Sequence, residues 1–156
     1  MSIHVKIQTE DFAVGDVYES VRLAGGPEVG AIASFVGLVR DRNAKAGDGS
    51  EVNTLTLEHY PGMTESSIEK IAAQAIARWP IIDLHICHRV GELEPSDQIV
   101  LVVASSAHRD AAFAAAEFVM DYLKTDAVFW KKEKTRHGEK WIESTNSDRT
   151  RAAQWD

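Results

Sequence analysis

The run Ile99-Val100-Leu101-Val102-Val103-Ala104 limits the fold of this chain more than any other feature. A strand with one wet face alternates apolar and polar residues, whereas an uninterrupted apolar run predicts a central strand covered on both faces. The run is also far too short to span a bilayer. Two amphipathic segments can supply the cover. From Thr64 to Trp79 the apolar positions Ile68, Ile71, Ala72, Ala75, Ile76 and Trp79 follow the i, i+3, i+4 rhythm of a helix. Glu65 and Glu69 suit its N-terminus, Arg78 its C-terminus, and Pro80 ends it. A second helix is expected from Arg109 to Lys124, with Phe113, Ala116, Met120 and Leu123 on its core face.

Ile3, Val5 and Ile7 alternate with polar residues, as a half-buried strand does. A helix is expected from Val14 to Leu23, stopped by Gly25-Gly26-Pro27. Gly30 to Val39 reads as a buried strand, and Val52 to Tyr60 as one with Leu55 and Leu57 facing one way and Thr54 and Thr56 the other. Between them Arg40 to Ser50 is polar and Gly-containing, the composition of a mobile loop. Further strands are expected at Asp83–Val90 and Gln98–Ser105, separated by the turn-prone ELEPSD, and at Val128–Glu133 and Lys140–Ser144, joined at His137-Gly138. Residues 145–156 are polar and expected to be a loose tail. The order β-α-β-β-α-β-β-α-β-β predicts an α+β fold, a mostly antiparallel sheet packed with about three helices plus a small C-terminal β hairpin. The length, 156 residues, suits one domain that buries its own core.

Composition narrows the function classes. Apolar residues are 44% and charged residues 26%, the balance of an ordinary soluble globular protein, which excludes disordered, collagenous and coiled-coil chains. The start, MSIHVKIQTEDF, lacks the basic-then-apolar pattern of a signal peptide, and the lone Cys87 excludes an internal disulfide; the expectation is a reducing, cytoplasmic location. A net charge of −7 argues against wholesale nucleic-acid binding. The bases are nevertheless gathered. Lys124 to Lys140 carries six bases and three acids, so this stretch is +3 and the remainder −10. Such a stretch is either a local anion site or a solvated, salt-bridged edge, and the second is the commoner.

The usual catalytic signatures are absent: no phosphate-loop motif, no GxGxxG turn, no HExxH and no CxxC. His85, Cys87 and His88 lie together, but on a strand 85 and 87 face opposite to 88, so they do not converge on one metal, and no metal site is expected. Cys87 in an apolar strand reads as inert core. Ser105-Ser106 near His108 lacks a nucleophile elbow and suits helix capping instead. His108 and Arg109 open a helix whose N-terminus prefers acids. Either an anion docks there against backbone N–H groups and shares the two bases, or Asp110 and solvent neutralise a plain surface. Lys124, at the helix C-terminus, is electrostatically comfortable there. Lys131 lies on the strand face opposite Trp130 and Lys132, where apolar and basic neighbours can suit a lysine to acid–base work. Arg40 stands where a buried strand opens into a polar loop, a common position for functional residues and for ordinary surface arginines alike.

Several stretches, in order, are similar to the large, catalytic subunits of molybdopterin synthases. They are FVGLVR (Phe35 to Arg40), LTLEHYPGMTE (Leu55 to Glu65), HRVGELEPSD (His88 to Asp97), SSAHRDAAF (Ser105 to Phe113) and MDYLKTDAVFWKKE (Met120 to Glu133), running into GEKWIES. Each is weak alone; together they cover most of the chain from Gly30 to Ser144. The resemblance implies an α/β-hammerhead-like fold and a sulfurtransferase. A small ubiquitin-like partner subunit ending in Gly-Gly would present a C-terminal thiocarboxylate, and its sulfur would pass to cyclic pyranopterin monophosphate to form the dithiolene of molybdopterin. No cofactor is implied, because the partner supplies the sulfur. The assembly implied is a homodimer of large subunits with one small subunit at each end.

The resemblance assigns roles residue by residue. Lys124 matches the lysine beside the thiocarboxylate and Lys131 the second essential lysine. Arg40, His108 and Arg109 match bases that hold the phosphate-bearing pterin. Leu38, Val39, Lys132 and Glu133 belong to the substrate-contact stretches, and Phe35 and Met120 match apolar pocket lining. Leu38 stands where relatives can have lysine, and Val128 where proline is common. His108 and Lys124 would sit roughly 24 Å apart along one helix, so His108 and Arg109 are expected to serve a site on a second subunit. Two other readings compete: a non-catalytic module that binds a ubiquitin-like tail or a pterin, and a generic phosphate-binding protein using only Arg40, His108 and Arg109.

Overall fold

The computed structural model describes residues 2–40, 54–127, 129–135, 138–142 and 146–156. The elements in chain order are β1 (Ser2–Gln8), α1 (Val14–Gly25), a 3-10 turn (Gly26–Glu28), β2 (Ala31–Leu38), β3 (Thr54–His59), α2 (Met63–Arg78), β4 (Ile81–Arg89), β5 (Gly91–Leu93), β6 (Gln98–Ser106), α3 (Arg109–Leu123), β7 (Phe129–Thr135), β8 (Gly138–Ile142) and α4 (Asn146–Ala153). The expected loop at 41–50 and the Val128 position lie outside the described residues.

The fold is α+β, as expected, with two four-stranded sheets ordered β1-β4-β6-β2 and β5-β3-β7-β8, the second containing the expected C-terminal hairpin β7–β8. Every described pairing is antiparallel except β1 with β4. The apolar run lies in β6, between β4 and β2, and Val100 to Ala104 are at most 4% exposed. Its two faces serve two cores. Val100, Val102 and Ala104 pack with Leu84 and Ile86 of β4 under α2 and α3, while Leu101 and Val103 pack with Cys87, Phe12 and Val21 on the α1 side. Burying both faces stabilises the strand by roughly 25 cal/mol per Å² of apolar surface removed from water.

A third apolar cluster joins the two sheets. Leu55 and Leu57 of β3, Leu93 of β5, Val39 and Val90 form it, with Ile7, Ile99 and Phe129 packed alongside. The strand β5 was expected to be turn; its Leu93 is drawn out of the turn by pairing with Leu55. Gly62, at φ +86°, opens α2 in the left-handed region that favours glycine, and its N–H donates to the Glu65 carboxylate at 2.8 Å.

The chain end corrects the expectation of a loose tail. Residues 146–153 form α4, and Ala152 is buried. The Trp155 ring meets Trp79 and Phe118 edge-on at 5.4 and 5.7 Å, and its indole N–H donates to Asp121 at 2.8 Å. The Arg78 guanidinium lies over the Trp79, Phe118 and Trp155 rings at 5.2–5.9 Å. This segment carries no apolar stripe, so its order comes from tertiary capture of one tryptophan.

Candidate functional site

The topology sorts the candidate residues to the two ends of α3. Strand β6 runs toward Ser106, the chain turns at Ala107 and His108, and α3 returns over the sheet. The end of α3 therefore lies over the end where β6 begins. Because β2 and β4 run antiparallel to β6, with Leu38 opposite Gln98 and His88 opposite Val100, their C-terminal ends are there too. Arg40, His88 and Lys124 thus share one end of the structure, and His108 and Arg109 occupy the other. With 15 residues in α3, the two ends are roughly 22 Å apart.

At the first end, Lys124 is the C-cap of α3, its backbone N–H bonded to the Met120 carbonyl at 3.2 Å. Seven positions on, Lys131 pairs with Leu57 in the β3–β7 ladder, and Trp130 and Lys132 pair with Glu58 and Thr56. Strand alternation therefore sets Lys131 on the face of buried Leu57 and its two neighbours on the other, where Trp130 meets Tyr60 edge-on at 6.3 Å.

At the same end lies His88, which opens the HRVGELEPSD stretch and reads from sequence only as part of a His/Cys cluster that does not converge. His88 is buried, its ring stacked on Phe129 at 4.1 Å with 26° between planes, and its Nδ1 lies 2.8 Å from the Arg89 carbonyl oxygen. A carbonyl only accepts, so Nδ1 carries the hydrogen and the neutral ring keeps a lone pair on Nε2. Burial, reinforced by the charges of Lys124 and Lys131, pushes His88 down to about 4. The readable signal was positional: His88 follows Leu84 and Ile86 on the core face of its strand, where a polar group needs a reason.

The remaining candidates divide between core and surface. Val39 is 5% exposed, and both its backbone groups are bonded, N–H to Asp97 and C=O to Ser96. Its role is to fix where Arg40 leaves the core. Arg40 is exposed, and Leu38, at 52%, offers no charge to an anion. Met120 is core in this chain, one turn before Lys124, whereas Phe35 is 43% exposed on the edge strand β2. Lys132 is half-buried, and the Glu133 backbone pairs with Leu55. At the far end His108 is the N-cap of α3 with extended backbone and no side-chain cap bond, and it and Arg109 are exposed. Cys87 faces the opposite core, and burial pushes its thiol up.

The molecule is an α+β protein that sets Lys124 at one end of α3 and His108 and Arg109 at the other. Residues 7–126 match the family model described as MoaE protein. The molybdopterin synthase catalytic subunit of Vibrio cholerae is 51% identical over 156 residues, covering all of both chains. Among solved structures, the molybdopterin biosynthesis MoaE protein from Burkholderia ambifaria is 50% identical, with a TM-score of 0.82 over 99% of this chain and 98% of that one. A structure from Helicobacter pylori, a complex of subunits 1 and 2 of the molybdopterin-converting factor, shares the fold at 20% identity, with a TM-score of 0.68 over 91% of this chain and 90% of that one. The chain belongs to the MoaE protein family.

Proposed function

We propose that this chain is the catalytic subunit of a molybdopterin synthase, an enzyme of molybdenum cofactor biosynthesis. It transfers sulfur from the C-terminal thiocarboxylate of a small ubiquitin-like partner subunit to cyclic pyranopterin monophosphate. The observation that carries the reading is that Lys124 caps the C-terminal end of α3 while Lys131, seven residues on, shares a face of β7 with Phe129, whose ring stacks on His88 at that same end. A lone anion contact needs one cation; a tail that must be held and then relieved of its sulfur needs a cation for the acyl oxygen and a group that moves a proton. Lys124 pairs with the thiocarboxylate and stabilises the oxyanion of the acyl intermediate. Lys131 moves a proton at the pterin side chain. Arg40, His108 and Arg109 hold the phosphate and offset its charge as the cyclic ester opens. Lys132 and Glu133 extend the contact, with Phe35 and Met120 beside the incoming tail. The nucleophilic sulfur belongs to the partner, so the chain needs neither a nucleophile nor a cofactor of its own.

The separation of the two basic pairs supports a composite site. His108 and Arg109 cannot meet the same small pterin as Lys124 of their own chain, so a second copy supplies them in a homodimer. Among the described residues no helix is long and apolar enough to cross a membrane, and we place the enzyme in the cytoplasm, with its single thiol.

The deciding experiment is reconstitution with a thiocarboxylated small subunit and cyclic pyranopterin monophosphate, following dithiolene formation. Wild-type turnover with a loss of about 100-fold or more in Lys124→Ala and Lys131→Ala is the expected result. Tail binding without product, unchanged in either variant, would establish a non-catalytic binding module instead.

A further inference from the structure

We infer that His59, held by Glu65, returns the proton to Lys131 during turnover: a histidine–carboxylate pair at the turn between β3 and α2 that acts on substrate only through that lysine. The inference rests on the reading of Lys131 as the group that moves a proton, and it adds two residues that this reading does not contain.

Register sets the two bases side by side. In the β3–β7 ladder Leu57 stands opposite Lys131 and His59 opposite Phe129. Strand alternation puts His59 on the face of buried Leu55 and Leu57, which is the face of Phe129 and Lys131 on the neighbouring strand. His59 and Lys131 are therefore diagonal neighbours on one face, a relation that sets Cα atoms roughly 7–8 Å apart and within reach of a long side chain. The other titratable ring on Phe129 is His88, whose Nδ1–H is committed to the Arg89 carbonyl. On the far side β5 reaches only to Gly91, opposite Leu57, and the Arg89 guanidinium is engaged by the carbonyls of Thr9 and Gln98.

The turn that follows His59 aims the carboxylate. The Tyr60 N–H donates to Thr64 Oγ1 and the Thr64 N–H to the Tyr60 carbonyl, both at 2.9 Å, which fixes the chain from β3 into α2. Glu65 Oε2 accepts from the Gly62 N–H at 2.8 Å. Its other oxygen, Oε1, is buried without a hydrogen-bond partner and lies 4.0 Å from His59 Nε2. A buried acceptor left without a donor is costly. An imidazole with its hydrogen on Nε2 supplies that donor once the gap closes, and such contacts are often long before substrate binds. Nδ1 is then the atom that exchanges a proton. The His59 side chain is 27% exposed, so solvent can replace what the ring gives away.

A dithiolene holds two sulfur atoms, so Lys131 acts twice on one pterin and must be reset between. When Lys131 gives its proton to the pterin side chain, it is left as a neutral amine. The His59 imidazolium passes its Nδ1 proton to that amine, which restores the ammonium and leaves a neutral imidazole beside Glu65. Solvent then returns a proton to the ring. The transfer runs downhill, because an alkylamine holds a proton more tightly than an imidazole does.

The test uses the full chain reconstituted with the thiocarboxylated small subunit and cyclic pyranopterin monophosphate. His59→Ala should lower kcat by about tenfold or more with KM for the small subunit little changed. Added imidazole should restore most of that loss and leave Lys131→Ala unrescued. Wild-type kcat should decline as pH rises through the range where an imidazole loses its proton, and His59→Ala should lack this limb. Glu65→Gln keeps an acceptor for the Gly62 N–H, so the turn survives, and should lower kcat by about threefold or more. A His59→Ala enzyme within about twofold of wild type overturns the inference. So does a loss that imidazole does not restore, or a pH limb retained in that variant. Glu65→Gln with wild-type kcat overturns it however well His59→Ala folds. Wild-type protein that makes no dithiolene overturns the synthase reading, and this inference with it.

Discussion

The imidazole of His88 and the phenyl ring of Phe129 stack at 4.1 Å, which ties the end of β4 in one sheet to the start of β7 in the other. The contact holds the lysine-bearing strand against the sheet that carries the rest of the core. It also makes the junction acid-sensitive. In the unfolded chain His88 takes a proton near pH 6.5; in the folded chain, desolvation and the two lysines lower this to about 4. Between those values the unfolded state binds more protons, so stability is lost as pH falls from about 6.5 to about 4, by about 3 kcal/mol from this group. Urea midpoints across that range should fall in the wild type and fall less steeply in His88→Phe. Equal slopes would show that the acid limb comes from other groups.

The proposed composite site can be checked by complementation. His108→Ala and Lys124→Ala homodimers should each be inactive, because every site lacks one group. Mixed subunits that reassort freely should recover about a quarter of wild-type activity, since half the dimers are hybrid and each hybrid holds one intact site. Absence of recovery, with exchange verified by mass spectrometry, would place both residues in one chain's site.

The C-terminal clasp should contribute measurably to stability. Trp155→Ala removes two ring contacts, a cation–π partner of Arg78 and the donor to Asp121. The expected cost is about 2–4 kcal/mol, read from the denaturant midpoint. Asp121 lies one turn before Lys124, so dithiolene formation should fall along with stability. A midpoint within experimental error of wild type would mean that α4 docks without this tryptophan.

Gly30 is placed where no side chain fits. A Cβ there would come 2.1 Å from the Ala107 carbonyl oxygen, beside the bond from the Gly30 N–H to Ser106 at 3.0 Å. The obstacle is backbone, so relief requires shifting either the start of β2 or the turn that presents His108. Gly30→Ala should destabilise the chain by about 2 kcal/mol or more, and substrate affinity should weaken as His108 moves. An unperturbed melting temperature would show that the turn yields freely.

Much of this was legible in the chain itself. The apolar run announced an interior strand, and Ile68, Ile71, Ala72 and Ala75 announced the helix that covers it, because burial imposes its period on sequence. The positions of Lys124 at a helix end and of Lys131 opposite Trp130 and Lys132 were also readable, since local geometry decides them. The separation of His108 from Lys124 followed from helix rise alone.

Other features depend on groups distant in sequence, and no local pattern records them. The division into two sheets, the parallel pairing of β1 with β4, and the capture of Trp155 by Phe118 and Trp79 are decided by which surfaces meet after collapse. His88 is the clearest case. Its strand and its facing were readable, but its neutrality exists only once β4 and β7 close around it. Periodicity is a property of contiguous residues, so sequence determines the elements and their buried faces. Proton affinity depends on desolvation and on distances across elements, and only the tertiary structure sets those.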